Sequence, residues 1–386
     1  MKKNTQKKVL CVDYENWDSL MEIPYLFHKA DCAVDIYAQK NSWLRKSKYH
    51  KNYFPANKNK NIFIQNLEKI SKKNIYEWII LCDEESLNII NNSTNKYLIK
   101  KALPLSNNEN RNILNSKKGI SLACTKYKIP TPEYEIYDKN QKIEKLTKEI
   151  QFPILLKIDK SAGGSGIFLC KNIAEISENI NKIPKQKIEN LVLQQYIKGQ
   201  NIAVETLYKN GNLIAYAYSI VTKTISNEFG LSSERIYIQY PEIKERLKFI
   251  GKSFGINGFC SMTFMADSKE HYLIEADLRP QAWYALARLA GTDFSQAIKE
   301  FISKNPQFIK TKFPKNKKEI AIRHMRRDLI WNIINKNYKG ILYWFLNIEN
   351  RWKVIPWHDL KLVFYITAET FKTIKRKVFN RKINSF

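Results

Sequence analysis

The succession of segments predicts a chain of mixed α/β and α+β class: a parallel-sheet unit, then an α+β body built on antiparallel strands, then a helical C-terminal extension. Three observations carry this reading. Short apolar strands alternate with helical segments over residues 8–104, as in βαβ units. From Lys117 onward the strands lengthen and succeed one another across short turns, as antiparallel neighbours do. Beyond residue 320 the apolar residues Met325, Leu329, Ile333 and Ile334 recur at helical spacing.

In the first unit, Lys8–Asp13 and Ala33–Ala38 read as strands flanking a helix over Trp17–Lys29. Trp78–Cys82 reads as a buried strand and Glu84–Asn91 as a helix, while the polar stretch Ser106–Arg111 reads as a linker. A helix over Lys117–Tyr127 stops at Ile129-Pro130-Thr131-Pro132. Strands are expected at 154–158, 167–170, 191–197, 202–208, 213–221, 259–266 and 272–278, with helices at 242–254 and 282–290. Residues 305–320 form a basic, proline-bearing connector, and the remainder reads as helical. The expected domains are 1–110, 111–310 (a small lobe over about 117–198 and a large lobe over about 199–310) and 311–386.

Composition removes several classes of function. At 386 residues and 44% hydrophobic content the chain is expected to hold two or three packed cores. Val9–Val12 is far shorter than a signal-peptide core, and no run reaches the ~20 apolar residues of a membrane span. A cytoplasmic location follows, with the inner membrane face as the peripheral alternative. The six cysteines are scattered without a C-x-x-C pair, so reduced buried thiols are expected rather than disulfides or zinc. The net charge of +28 raises nucleic acid as a partner, but no nucleic-acid motif accompanies it, and none is expected to bind.

Chemistry concentrates in three segments. In Ile274-Glu275-Ala276-Asp277-Leu278-Arg279-Pro280, residues two apart share a face of a strand. Glu275, Asp277 and Arg279 then line up on one side, able to hold a divalent cation and an anionic phosphate together, with Ile274, Ala276 and Leu278 opposite. The plainer alternative is a solvated face with a salt bridge. Lys157 precedes Ser161-Ala162-Gly163-Gly164-Ser165-Gly166, whose glycines let backbone N–H groups approach phosphates. Because that loop joins two strands, it is neither a P-loop nor a dinucleotide turn, both of which open a helix. Gln194-Gln195-Tyr196-Ile197-Lys198-Gly199 leaves a strand where backbone groups can meet a nucleobase edge, or it is an ordinary strand and turn. Gly251-Lys252-Ser253 resembles the end of a P-loop, but Arg246 stands where the first glycine belongs.

A lysine-headed helix, I-P-T-P, a lysine before a glycine hairpin, Q-Q-Y-I-K-G and I-E-A-D-L-R-P, in that order, resemble the ATP-grasp superfamily over roughly residues 5–310. That group includes biotin carboxylase, carbamoyl-phosphate synthetase and D-amino-acid ligases. Trp43–Tyr49 and Leu81–Glu85 make residues 1–110 similar to its pre-ATP-grasp, Rossmann-like domain. The resemblance implies two lobes closing on ATP with Mg²⁺ (or Mn²⁺ in its place), and ADP-forming activation of a small carboxylate as an acyl phosphate for a nucleophile, an amine being expected. It implies phosphate-binding roles for Lys117 and Lys157 and a mobile lid at Gly163, Gly164, Ser165 and Gly166. It further implies nucleotide contacts at Gln194, Gln195, Ile197 and Glu205, catalytic roles for Arg235 and Arg279, and metal ligation by Glu275 and Asp277. Asp277 replaces the usual Asn, and Thr263 stands where many members carry another metal-binding glutamate. That second departure motivates the alternative of a degenerate nucleotide-binding regulator or scaffold. Trp283 and Tyr284 are candidates for the acceptor pocket or for the core.

The extension is not covered by the resemblance. Residues 311–386 hold 18 Lys and Arg against 5 Asp and Glu, and half of the eight tryptophans: Trp331, Trp344, Trp352 and Trp357. From Leu360, apolar Phe364, Ile366, Phe371, Ile374 and Phe379 mingle with Lys372, Lys375, Arg376, Lys377, Arg381 and Lys382, as in a peripheral membrane helix. Packing of the aromatics onto the body is the favoured expectation, because Trp352 and Trp357 flank a proline turn.

Overall fold

The computed structural model describes residues 6–137, 141–147, 150–161, 163–185, 188, 190–225, 228–347 and 351–383, with side chains to residue 376. Ala162 of the glycine loop and the side chains of Lys377, Phe379, Arg381 and Lys382 lie outside the described residues.

The first unit opens with β1 (Lys7–Asp13), α1 (Ile23–Lys29), β2 (Cys32–Ala38) and β3 (Asn52–Pro55). It continues with α2 (Lys60–Lys73), β4 (Trp78–Leu81), α3 (Glu84–Asn91) and α4 (Lys96–Ala102). Its strands form a parallel sheet in the order β3-β2-β1-β4. All seven residues of β2 are buried, as expected of a strand covered on both faces. The helix expected over Trp17–Lys29 divides: a 3₁₀ turn at Asp18–Leu20 precedes α1, which begins at Ile23 with Pro24 in its first turn, where proline's missing N–H costs nothing. Helix α2 has local causes: the Asn59 side chain caps it by accepting from the Asn61 and Ile62 N–H groups, and the buried Phe63 and Leu67 stand four apart. The stretch expected as a linker is pinned instead: the Ser106 N–H donates to the Gly255 carbonyl at 2.7 Å and Asn110 Nδ2 to the Ser253 carbonyl at 2.9 Å.

Next come α5 (Lys117–Tyr127), β5 (Tyr134–Tyr137), α6 (Ile143–Leu146), β6 (Ile154–Ile158), β7 (Ile167–Cys170), α7 (Ile173–Lys182) and β8 (Leu191–Gln195). Ser116 caps α5 by accepting from the Gly119 N–H. The strands make an antiparallel sheet, β5-β8-β6-β7, with its own core of Ile154, Leu156, Ile176, Leu191 and Leu193.

The large sheet contains β9 (Gln200–Lys209), β10 (Asn212–Thr224), β11 (Ser232–Ile238), β12 (Gly258–Ala266) and β13 (His271–Asp277). Helices α8 (Ile243–Phe254), α9 (Ala282–Leu286) and α10 (Phe294–Ile302) accompany it. A sixth strand, β14 (Glu319–Arg323), completes the antiparallel order β13-β12-β9-β10-β11-β14. The extension, expected to be a connector to residue 320 and helical beyond it, therefore begins by adding an edge strand to this sheet. Register explains it: Arg235 pairs with Ile322 and Tyr237 with Ile320, and Ile322 enters the core. Helical structure follows as α11 (Met325–Ile334), α12 (Tyr338–Leu346) and α13 (Leu360–Ile383). Among the described residues no helix is long and apolar enough to cross a membrane.

The parallel and large sheets share their cores. Val9, Cys11 and Val34 cluster with Phe259, Tyr284 and Phe294, while Leu10 and Val12 cluster with Met262, Phe264 and Phe254. All six cysteines are buried free thiols.

Candidate functional site

Strand β13 delivers its carboxylates to a cavity of about 520 Å³. Glu275 and Asp277 line it together with Arg279. Ala276 and Leu278 enter the core behind the strand, but Ile274, expected there too, lines the cavity. A bulge accounts for this: Thr263 pairs with Glu275 and Phe264 with Leu273, so Ile274 has no partner of its own and turns outward. Burial, and then the neighbouring Asp277, push the Glu275 carboxyl up to about 7, against the pull of Lys117 and Lys157. The Arg279 guanidinium is held above its usual pKa despite burial, by Asp277 and by Glu84, which accepts from it at 2.6 Å. Glu84 reaches across from the N-terminus of α3, whose cap is Asp83.

The lysines approach from the other sheet. Lys157 is buried on β6 and donates to Gln194 Oε1 on β8. Burial, and then Lys117, bring its ammonium down to about 8. Lys117, at the first turn of α5, donates to the Ser161 carbonyl at 2.7 Å and so touches the start of the glycine loop. Gly163 and Gly164 both have positive φ and line the cavity; Ser165 and Gly166 stand outside its lining. A Cβ on Gly164 would lie 2.3 Å from the Phe229 carbonyl oxygen, so only glycine allows the loop this close to the large lobe. Gln194, Gln195 and Ile197 all line the cavity. The Gln195 N–H donates to the Glu133 carbonyl at 2.8 Å.

Glu205 departs from expectation. It is fully buried on β9, does not line the cavity, and holds Arg235 Nη1 at 2.5 Å. Arg235 does line the cavity, with its guanidinium 4.3 Å from the Trp283 ring centroid. Trp283 and Tyr284 both belong to the core; Trp283 reaches the site only as the platform under Arg235. Thr263 lines the cavity opposite Glu275, and Asp267 accepts from the N–H groups of Lys269 and Glu270 in the hairpin turn. Among the described residues no group of three or more His, Cys, Asp or Glu is placed to hold a metal.

Three lining residues had no sequence signal. Trp17 and Ser19 come from the turn before α1, and Arg327 from α11 of the extension. Arg327 donates to the Ser232 carbonyl at 3.2 Å and lies 3.8 Å from Asp18. Burial lowers its pKa and Asp18 opposes that, while Arg235, Arg326 and Arg279 press it lower still. The cavity thus brings together the carboxylates of β13, the Lys117–Lys157 pair and three arginines, Arg235, Arg279 and Arg327.

Residues 115–229 match the model of the RimK-like ATP-grasp domain. Among curated proteins, phosphoribosylamine–glycine ligase of Fusobacterium nucleatum is 24% identical over 217 residues, 48% of this chain and 49% of that protein. D-alanine–D-alanine ligase of the same organism is 25% identical over 178 residues, 42% of this chain and 60% of that protein. The chain thus spans about half the length of the curated relatives it matches. N5-carboxyaminoimidazole synthetase of Staphylococcus aureus, solved with ADP, superposes with a TM-score of 0.64 at 14% identity, covering 86% of this chain and 85% of that one. The biotin carboxylase domain of Hydrogenobacter thermophilus 2-oxoglutarate carboxylase, solved with MgADP, gives 0.60 at 18% identity, covering 78% and 71%.

Proposed function

We propose that this chain, whose residues 115–229 match the RimK-like ATP-grasp domain, is an ADP-forming carboxylate ligase. One observation supports the reading above others. Glu275, pushed up by burial to about 7, and Lys157, brought down by burial to about 8, face the same cavity, where the charged form of each would gain from a further counter-charge. A divalent cation bound to polyphosphate satisfies both at once, and the two-carboxylate donor set fits Mg²⁺, which keeps water and phosphate oxygens among its ligands. When bound, the ion neutralises charge on the phosphates.

In this reading Lys117 and Lys157 hold the phosphates, and the Gly163–Gly164 backbone covers them. The strand end at Gln194–Ile197 receives the nucleobase. A substrate carboxylate held by Arg279, Arg235 and Arg327 attacks the γ-phosphorus; the β–γ bridging P–O bond breaks and ADP leaves. An amine then attacks the acyl carbon, expelling phosphate and losing a proton. The arginines stabilise charge on the transferring group, which is where phosphoryl transfer gains most of its rate. Glu205 acts by holding Arg235 in place rather than by touching nucleotide, and Trp283 orients the same guanidinium.

The test is carboxylate-dependent ADP release, screened over amino acids, peptides and hydroxy acids, with hydroxylamine present to trap acyl phosphate as a hydroxamate. Hydroxamate formation supports the ligase. Thr263 opposite Glu275 favours one rival, a nucleotide-binding regulator without turnover. Tight MgATP binding, with neither ADP nor hydroxamate above the rate without carboxylate, would favour that rival.

A further inference from the structure

Helix α13 packs through one face and leaves the other exposed. Leu362, Ile366 and Thr370 are buried, and the first two join Met21 and Trp43 in a small core. On the opposite side Leu360, Phe364 and Phe371 are 58%, 76% and 66% exposed. Lys361, three residues before Phe364, and Lys375, four after Phe371, are exposed at helical spacing from this stripe, and Arg376 is exposed at its flank. Lys46, from the first unit, sits over the Tyr365 ring at 4.5 Å and adds a further cation beside the helix.

The neighbouring α12 repeats the pattern. Trp344 is buried, and Leu342, Phe345 and Leu346 are exposed. Trp352 Nε1 donates to the Trp344 carbonyl at 2.7 Å and Trp357 Nε1 to the Trp352 carbonyl at 3.1 Å, tying α12 to the turn that starts α13. Of the fourteen exposed large hydrophobic side chains among the described residues, nine fall between Tyr338 and Phe371. That concentration marks an interaction surface rather than scattered exposure.

We propose that this face docks on an anionic lipid surface, with Leu360, Phe364 and Phe371 entering the headgroup region and Lys361, Lys375 and Arg376 meeting lipid phosphates. Charge selects this occupant over a second copy of the chain. A twofold contact would set these cations against their own copies, and Glu369, which lies on the same helix, is already engaged by Lys372 at 2.8 Å. Interleaved aromatic and basic residues on one side of a helix suit an interfacial position, the cation reaching outward while its stem and the ring stay in apolar surroundings.

The test is sedimentation of the full chain with vesicles of phosphatidylcholine alone or with about 30% phosphatidylglycerol, at low and high salt. Binding to the anionic vesicles, weakened by salt, is expected. The triple variant Lys361→Gln/Lys375→Gln/Arg376→Gln should bind about 100-fold more weakly, at about 1 kcal/mol per cation and tenfold per 1.4 kcal/mol. Phe364→Ser/Phe371→Ser should bind at least about tenfold more weakly while keeping its circular dichroism and ADP release in solution, because both side chains are exposed. Equal binding to neutral vesicles, or none to anionic ones, would overturn the proposal. So would lipid-free dimerisation abolished by Phe364→Ser/Phe371→Ser, which would give the face to a second copy.

Discussion

At the scale of single residues, the site is defined by what burial does to charge. Glu275 is half-buried beside Asp277, with Lys117 and Lys157 too few to restore its ordinary acidity. In the proposed ligase, Glu275→Gln keeps the shape and removes the anchor, so carboxylate-dependent ADP release should fall by about 10²-fold or more. Circular dichroism should remain unchanged, and near-normal turnover would remove the metal role. Lys157 gives a pH signature. Its depressed pKa means that the charged form dominates below about 8 and is lost above it. Metal-free ATP should accordingly bind well below pH 8 and weaken by about tenfold per unit above it. Titration calorimetry from pH 6.5 to 9.5 would show this for the native chain. Lys157→Ala should bind weakly at every pH, and Lys160→Ala, at an exposed position on the same segment, should behave as the native chain does.

At the scale of elements, the extension contributes to the site as well as to the exterior. Strand β14 sets the direction in which the chain enters α11, and α11 brings Arg327 to the cavity wall. If Arg327 holds the substrate carboxylate, Arg327→Met should raise the KM for that substrate by about 10- to 100-fold, the range expected for losing a charged hydrogen bond. ATP affinity should change little, because Lys157 and Lys117, which we propose hold the phosphates, lie on β6 and α5. A thermal melt run alongside separates this from loss of the Ser232 and Asp18 contacts. An equal loss of ATP affinity would place Arg327 with the nucleotide instead.

At the scale of the whole molecule, the three parts of the chain close on one another. Asp359, just before α13, accepts from the Lys48 N–H at 2.7 Å and from Ser47 Oγ at 3.1 Å, and His358 stacks on Tyr25 at 3.4 Å between centroids. The tryptophan-rich tail therefore packs on the first unit as well as on the large lobe. Deleting residues 360–386 removes the buried Leu362 and Ile366 from Met21 and Trp43, which should cost roughly 3–6 kcal/mol at ordinary values for aliphatic burial. A lower melting temperature and lower soluble yield are expected. An unchanged melting profile would mean that the inner face of α13 adds nothing to stability.

The residues themselves determined the strands that carry chemistry, and they did so through period and punctuation. Alternation placed Glu275, Asp277 and Arg279 on one face, the Ser116 cap and Ile129-Pro130 bounded α5, and glycines marked the hairpin after Lys157. These are local signals, written within a few residues of where they act. What lay beyond them depended on contacts between distant segments. The bulge that turns Ile274 into the cavity needs the register of β12. Glu205 reads as a nucleotide ligand until β11 lays Arg235 across it. Trp17, Ser19 and Arg327 gain their place only when the first turn, α11 and the large sheet meet around one cavity. A side chain's chemistry belongs to its residue, but its charge state and its neighbours belong to the packing, and only the tertiary structure decides those.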